Sequence, residues 1–382
     1  MRVLMLSRDA KIFEKESAVR ARMVEYGTLF EELHIVVLNK RFKNKDLRLK
    51  NIKIGNNVWV YPTNSRTICF YAFDAMRVAK KIFATNYKPS FDKLKISSKV
   101  EGQTTNWVIT AQDPFETGYV ASKIAKKLHI PLQIQIHTDF LSPYFWRESL
   151  KNKVRVFLGM WLLKKADCIR VVSNRIKDSI KSNVKCQMSD VSILPIFVDA
   201  GKIKNAAPAV LPKKFDFTIL WVGRLEKEKN CSLALAAFTQ VVKKIPNAGL
   251  IIVGDGSERE KLELRIRNYE LSNNVIIEGW KNDSAGYYKS ADVLLVTSLY
   301  EGYGLSMVEA RIAGIPVIAP DVGIAREVGA HITDHTADSI AETLVQLHSG
   351  KLPKRDNYEY PYTDKKSYLE LYKKSFERCL QK

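Results

Sequence analysis

DVLLVTSLYEGYGLSMVEARIAGIPVIAP, residues 292–320, is the stretch whose order of residue types fixes the architecture. It begins with a short apolar run, Asp292–Thr297, and passes into a loop that holds Glu301 and a Gly302-Tyr303-Gly304 turn. A helix begins beyond the turn, and another apolar run, Pro316–Ala319, ends the stretch. Strand, loop, helix and strand in that order form the repeating unit of a parallel sheet covered on both faces.

The same alternation extends in both directions. Nearby, Phe217–Val222, Gly249–Val253 and Asn274–Glu278 read as strands, with a helix at Cys231–Lys244. Further upstream, Val3–Leu6, Leu33–Leu38, Val58–Tyr61, Trp107–Thr110, Leu132–His137 and Ile169–Ser173 read as strands, the last closing the first half. Ser17–Phe30 carries Val19, Met23, Tyr26, Leu29 and Phe30 at helical spacing, and Pro114–Leu128 follows an Asp-Pro turn as a helix. Between Asp199 and Asp216 lie two prolines and several lysines, the most linker-like composition in the chain. The expectation is an α/β protein of two domains, 1–200 and 201–362, facing each other across a cleft. Thr363–Leu380 is an amphipathic helix with Tyr368, Leu369, Leu371, Tyr372, Phe376 and Leu380 on its apolar side, and it needs a partner surface.

At 382 residues the chain exceeds what one core serves, in agreement with two domains. It is 46% hydrophobic and 27% charged, with no run near the ~20 apolar residues that span a bilayer. MRVLMLSRDA is too short a hydrophobic start for a signal peptide, so the expected location is cytoplasmic. Five widely spaced cysteines without a Cys-x-x-Cys pair suggest neither disulfides nor zinc, and are expected to be reduced packing residues. The net charge of +20 is uneven. Residues 1–200 hold 35 Lys and Arg against 18 Asp and Glu, and the remainder 26 against 23. The basic half suits an anionic partner, a phospholipid surface or a phosphorylated acceptor, and equally suits a surface charged for solubility. No zinc-finger, helix-turn-helix or aromatic RNA-binding pattern accompanies it, so nucleic acid is not expected.

Ligands of parallel α/β sheets bind beyond the carboxyl ends of strands, and the unusual residues of this sequence sit there. Glu301 and Glu309 flank the Gly-x-Gly turn and the helix start, where glycine lets backbone N–H groups approach a ligand and the helix N-terminus adds positive potential. Such a loop suits a diphosphate or a sugar. Taken alone, it equally fits a plain strand–turn–helix junction with Glu309 solvated. Gly223-Arg-Leu-Glu-Lys-Glu-Lys229 places Arg224 and Lys229 in one strand-to-helix loop, where two cations could clamp a pyrophosphate without a metal. Val253-Gly254-Asp255-Gly256 follows another strand as a nucleotide-side turn. Trp280 either walls a base pocket or simply packs. His331, Asp334 and His335 read as surface residues rather than as a metal site.

GRLxxxK, VGDG, EGYGLSMVEA and GIPVIAPDVG, in that order over about residues 217–328, resemble the donor half of glycosyltransferase family 4. The resemblance implies the GT-B fold, two Rossmann-like domains with the end helix 363–382 crossing back onto the first. It implies a retaining, metal-independent transfer of a sugar from a nucleotide diphosphate, UDP-sugar being favoured over GDP-sugar, with no further cofactor. By the same resemblance Gly223, Arg224, Lys229, Gly254 and Gly256 would face the donor diphosphate. Glu301 would contact the transferred sugar, the Tyr303, Gly304, Leu305 and Ser306 backbone the sugar and phosphate, and Glu309 the ribose.

The first half matches less sharply. Pro114–Ser142 is similar to the family's helix–strand–His stretch, which implies that His137 approaches the sugar, although a histidine ending a buried strand is the plainer reading. The family's glycine pair in the first loop is missing, since Arg8 to Ser17 contains no glycine, and Arg8, Lys11 or Lys15 could engage acceptor or phosphate instead. A saccharide or lipid-linked saccharide is the expected acceptor, with peripheral contact to the inner face of an anionic membrane through the basic domain. Monomer and dimer both remain open. The competing expectations are a nucleotide-sugar hydrolase or epimerase, and a non-catalytic basic module that binds membrane or nucleic acid.

Overall fold

Apolar runs of three to six residues become strands buried along most of their length, as parallel strands covered on both faces require. The structure is a computed structural model that describes residues 1–41, 48–86, 106–184, 191–352 and 358–381. Its first sheet comprises β1 (Arg2–Ser7), β2 (Glu32–Val37), β3 (Ile52–Gly55), β4 (Val58–Pro62), β5 (Trp107–Ala111), β6 (Leu132–Ile136), β7 (Cys168–Val171) and β8 (Val191–Ile193). Their order across the sheet is β3-β4-β2-β1-β5-β6-β7-β8, all parallel except β3, which pairs antiparallel with β4. The second sheet comprises β9 (Phe217–Val222), β10 (Ala248–Val253), β11 (Val275–Gly279), β12 (Val293–Leu295), β13 (Val317–Pro320) and β14 (His331–Thr333). Its order is β11-β10-β9-β12-β13-β14, parallel throughout.

The run Ile169–Ser173 does not close the first sheet, because β8 adds one more strand. The hairpin partner β3 and the helices Tyr71–Asn86, Leu150–Leu163 and Ala337–His348 also lie outside what the sequence pattern indicated. The first helix is shorter than expected, Ala18–Gly27, with the Ser17 side chain accepting from the Arg20 N–H as its cap.

The end helix runs Lys365–Leu380 with Asp364 as N-cap, and it packs on the first sheet. Tyr372 and Phe376 are fully buried against Tyr26 and Phe30. Each such side chain contributes on the order of 2 kcal/mol through burial. Beneath the helix, Gln133 donates to the Ser375 carbonyl (2.9 Å), and Gln135 donates to the Tyr372 hydroxyl (3.3 Å). Those bonds explain two glutamines in a strand otherwise apolar, since buried amides require partners. Cys168 on β7 and Cys379 on this helix are joined as a disulfide, Cα atoms 5.6 Å apart, which corrects the expectation of cysteines that are all reduced. Cys69 is exposed and free, Cys231 buried and free, and Cys186 lies outside the described residues.

Candidate active site

Four loops, each leaving the carboxyl end of a strand, meet where the two sheets face each other. They follow β6, β9, β10 and β12, and a fifth, after β11, brings Trp280 to the same place. Contacts across the junction are specific. The Ser173 hydroxyl donates to the Gly302 carbonyl (2.8 Å), the Arg175 Nε donates to the Gly323 carbonyl (3.0 Å), and the Arg175 guanidinium also pairs with Asp321. The Tyr300 hydroxyl donates to Glu148 (2.9 Å). A Cβ at Gly302 would overlap the His137 carbonyl, so only glycine permits this approach of the two halves. Gly304, at φ 100°, starts the helix Leu305–Ala313 in a conformation that favours glycine.

The loops enclose a cavity of about 390 Å³. His137, Gly223, Arg224, Lys229, Gly254, Trp280, Glu301, Tyr303, Gly304, Leu305, Ser306 and Glu309 all line it. Gly256 does not. It faces Leu225, whose carbonyl a Cβ at 256 would meet, so its glycine serves the packing of two loops and its assignment to the ligand is corrected. Trp280 is 65% exposed at the rim, which rules out plain packing.

Lys229 forms an ion pair with Glu301, and the Ser298 hydroxyl donates to the same carboxylate (2.8 Å). The two loops are stitched together as well: the Thr297 hydroxyl donates to the Lys229 carbonyl (3.0 Å), and the Leu299 N–H to the Glu228 carbonyl (2.8 Å). Arg224 is the more exposed cation, 64% exposed and paired with Glu228 at 2.8 Å. Cation and carboxylate therefore stand on adjoining, mutually braced loops, with the N-terminus of Leu305–Ala313 opening on the same space.

Glu309 accepts from the Tyr288 hydroxyl (2.6 Å), and its second oxygen has no partner among the described residues. Burial raises its carboxyl pKa, and the tyrosine bond offsets part of that shift. His137 lies at the seam, its Nε2 buried without a partner among the described residues. Burial first, then the charges of Arg170 and Arg22, hold its pKa down to about 3. The imidazole is therefore neutral, able to bond a hydroxyl but unsuited to proton transfer near pH 7.

A second cavity of about 670 Å³ opens on the first-sheet side and shares His137 and Ile196 with the first. Arg22, Arg170 and Lys365 line it together with Tyr26, Tyr368 and Tyr372. Arg170 is 3% exposed, and it donates to the Gln135 Oε1 (2.8 Å) and the Leu194 carbonyl (3.3 Å) beneath the Tyr372 ring. Among the described residues no carboxylate pairs with Arg170. Sequence reasoning missed this cation because it sits inside an apolar strand, where the alternation of β6 and β7 gives no sign that its face meets a cavity.

Two further expectations are corrected. Arg8 turns to Glu116 (3.3 Å), and neither cavity is lined by Arg8, Lys11 or Lys15. His331 is buried on β14, and His335 bonds the Ser298 carbonyl (3.1 Å) beside the Tyr144 ring, so neither is a plain surface residue.

Residues 203–361 match the family described as glycosyl transferases group 1, and residues 107–202 match glycosyltransferase family 4. The 2-deoxystreptamine N-acetyl-D-glucosaminyltransferase of Niallia circulans is 31% identical over 68% of this chain and 72% of its own length. The alpha-monoglucosyldiacylglycerol synthase of Streptococcus pneumoniae is 27% identical over 72% of this chain and 66% of its own. The chain spans only 45% of an uncharacterized glycosyltransferase of Methanocaldococcus jannaschii, at 29% identity. In fold, the crystal structure of Anabaena HepE in complex with UDP superposes with a TM-score of 0.65 at 15% identity, covering 100% of this chain and 97% of that one. By fold and by sequence, the chain belongs to glycosyltransferase family 4 and has the GT-B architecture of two Rossmann-like halves.

Proposed function

We propose that the chain moves a hexose-type sugar from a nucleotide diphosphate donor, a UDP-sugar, to a hydroxyl of a saccharide or lipid-linked saccharide, with retention at the anomeric carbon. The observation that carries the reading is the Lys229–Glu301 pair facing Glu309 across one cavity at the N-terminus of Leu305–Ala313. UDP is named with the HepE structure, and a glycolipid product is named for the streptococcal relative.

In this reading the bond from the anomeric carbon to the diphosphate breaks with its electron pair passing to the phosphate. Lys229, Arg224 and the Gly302–Leu305 N–H groups meet that charge. They act in the role a metal ion fills elsewhere. The acceptor oxygen bonds to the anomeric carbon from the face the diphosphate leaves, and its proton passes to the leaving phosphate oxygen. Glu301 holds the sugar hydroxyls, the neutral His137 donates one further bond, and the free oxygen of Glu309 accepts from the ribose. The second cavity receives the acceptor, and Arg22 and Arg170 favour one that carries an anionic group near the reacting hydroxyl. A cytoplasmic enzyme resting on the inner membrane face agrees with a lipid-linked acceptor.

Thermal unfolding in the presence of UDP, GDP and their sugars tests the donor assignment. UDP should raise the melting temperature and GDP should not. No shift with any nucleotide diphosphate would reject the reading.

A further inference from the structure

The helix Leu150–Leu163 is apolar on two opposite faces. One stripe, Asn152, Val156, Gly159 and Leu163, is buried against the first sheet. The other, Leu150, Val154, Phe157 and Trp161, has the same helical spacing and points to solvent, 78%, 66%, 62% and 44% exposed. An amphipathic surface helix would present polar residues there. Large apolar side chains concentrated on one exposed stripe mark a docking surface, unlike scattered single ones.

The stripe does not stand alone. Lys151, Lys153, Lys164 and Lys165 flank it, and Lys165 lies over the Trp161 ring at 4.3 Å. The helix Glu116–Leu128 packs beside it, and Tyr71–Asn86 packs beside Glu116–Leu128, all three against the same core. These two neighbours add Tyr119 under Lys123 and Phe73 under Arg77. The preceding helix, Pro143–Glu148, reaches the cleft through the bond from Tyr300 to Glu148.

We propose that this face docks on an anionic phospholipid surface, with Leu150, Val154, Phe157 and Trp161 inserted below the headgroups and the lysines among the phosphates. Aromatic and aliphatic residues on one side with lysine at the margins match an interfacial helix. The excess of cations in the first half supplies the long-range attraction. A second copy of the chain would set like charges against each other across a two-fold interface, which disfavours that occupant. Among the described residues no helix is long and apolar enough to cross a membrane, so attachment here is peripheral.

The test is co-sedimentation of the full chain with vesicles of phosphatidylcholine alone, and of phosphatidylcholine with equal phosphatidylglycerol. Binding is expected only to the second, weakening as salt rises. The double variant Phe157→Ser, Trp161→Ser should bind at least about tenfold less, while Val210→Ser, Leu264→Ser, exposed on the other half, should bind as wild type. Trp161 emission should shift blue on binding. Failure of the wild type to bind anionic vesicles, or equal binding by the Phe157/Trp161 variant, overturns the proposal. So does a concentration-dependent dimer in light scattering that the same variant abolishes. UDP-induced stabilisation, measured on every variant, reports separately on the donor site, so loss of docking and loss of the transferase reading are distinguishable.

Discussion

The His137 carbonyl fills the space that a side chain at Gly302 would need, so the end of β6 and the Glu301–Gly304 loop of the second half meet backbone against backbone. Gly302→Ala should force the two halves apart at the reaction centre. A displacement near 1 Å there costs about a hundredfold in turnover. Steady-state kinetics should show that loss in kcat. Wild-type turnover in this variant would mean that the contact does not set the catalytic geometry.

The ion pair between Lys229 and Glu301 sets the charge balance of the cavity. Lys229→Ala removes the cation that would meet the leaving diphosphate, and should lower kcat about a hundredfold to a thousandfold. Glu301→Gln should do likewise by freeing Lys229 and weakening the hold on the sugar. Arg224→Ala should cost less, since Arg224 is the more exposed cation and must swing from Glu228 to act. Circular dichroism should show all three folded. Near-normal rates in all three would refute the assignment of the site.

Arg22 and Arg170 give the second cavity a positive charge. Arg22→Ala should raise the acceptor KM about tenfold or more while leaving donor KM unchanged, because one charge-assisted bond is lost. Arg22→Lys should restore part of it, and an uncharged acceptor should be indifferent to both. Arg22 is exposed at the cavity rim, so its removal leaves folding intact, whereas removal of the buried Arg170 strips Gln135 and Tyr372 of a partner. An unchanged acceptor KM for a phosphorylated acceptor would place the anion elsewhere.

The cavity around Lys229 and Glu301 was legible because its residues cluster in four consecutive strand-to-helix loops of the second half. Residue type and spacing there carry the geometry. Gly256 was misjudged because a glycine that serves packing looks the same in sequence as one that serves a ligand. Arg170, Ser173 and Arg175 were not legible, since their partners lie across the cleft or under the end helix. The disulfide escaped notice for the same reason: 211 residues separate Cys168 from Cys379. The helix Leu150–Leu163 was missed because two apolar stripes on opposite faces cancel the periodicity that marks an ordinary surface helix.

The low pKa of His137, about 3, has a consequence for stability. In the unfolded chain the imidazole takes up a proton near its ordinary value of about 6.5, whereas the folded chain refuses it until far lower pH. The unfolded state therefore binds more protons between pH 6.5 and 3, and stability falls as the medium is acidified through that window. From pH 7 to pH 5 the loss assignable to His137 is on the order of 1 to 2 kcal/mol, allowing for screening by water in the cavities. Asp139 works in the opposite sense. Burial raises its carboxyl to about 6, so acidification towards pH 4 favours the folded form. The wild-type curve mixes the two, and the difference between wild type and His137→Gln isolates the imidazole. Urea unfolding at pH 7 and pH 5 should show a smaller acid loss in the variant, by that 1 to 2 kcal/mol. Parallel losses in both proteins would mean that His137 protonates as freely when folded as when unfolded, and that its place between two cations is not what the structure indicates.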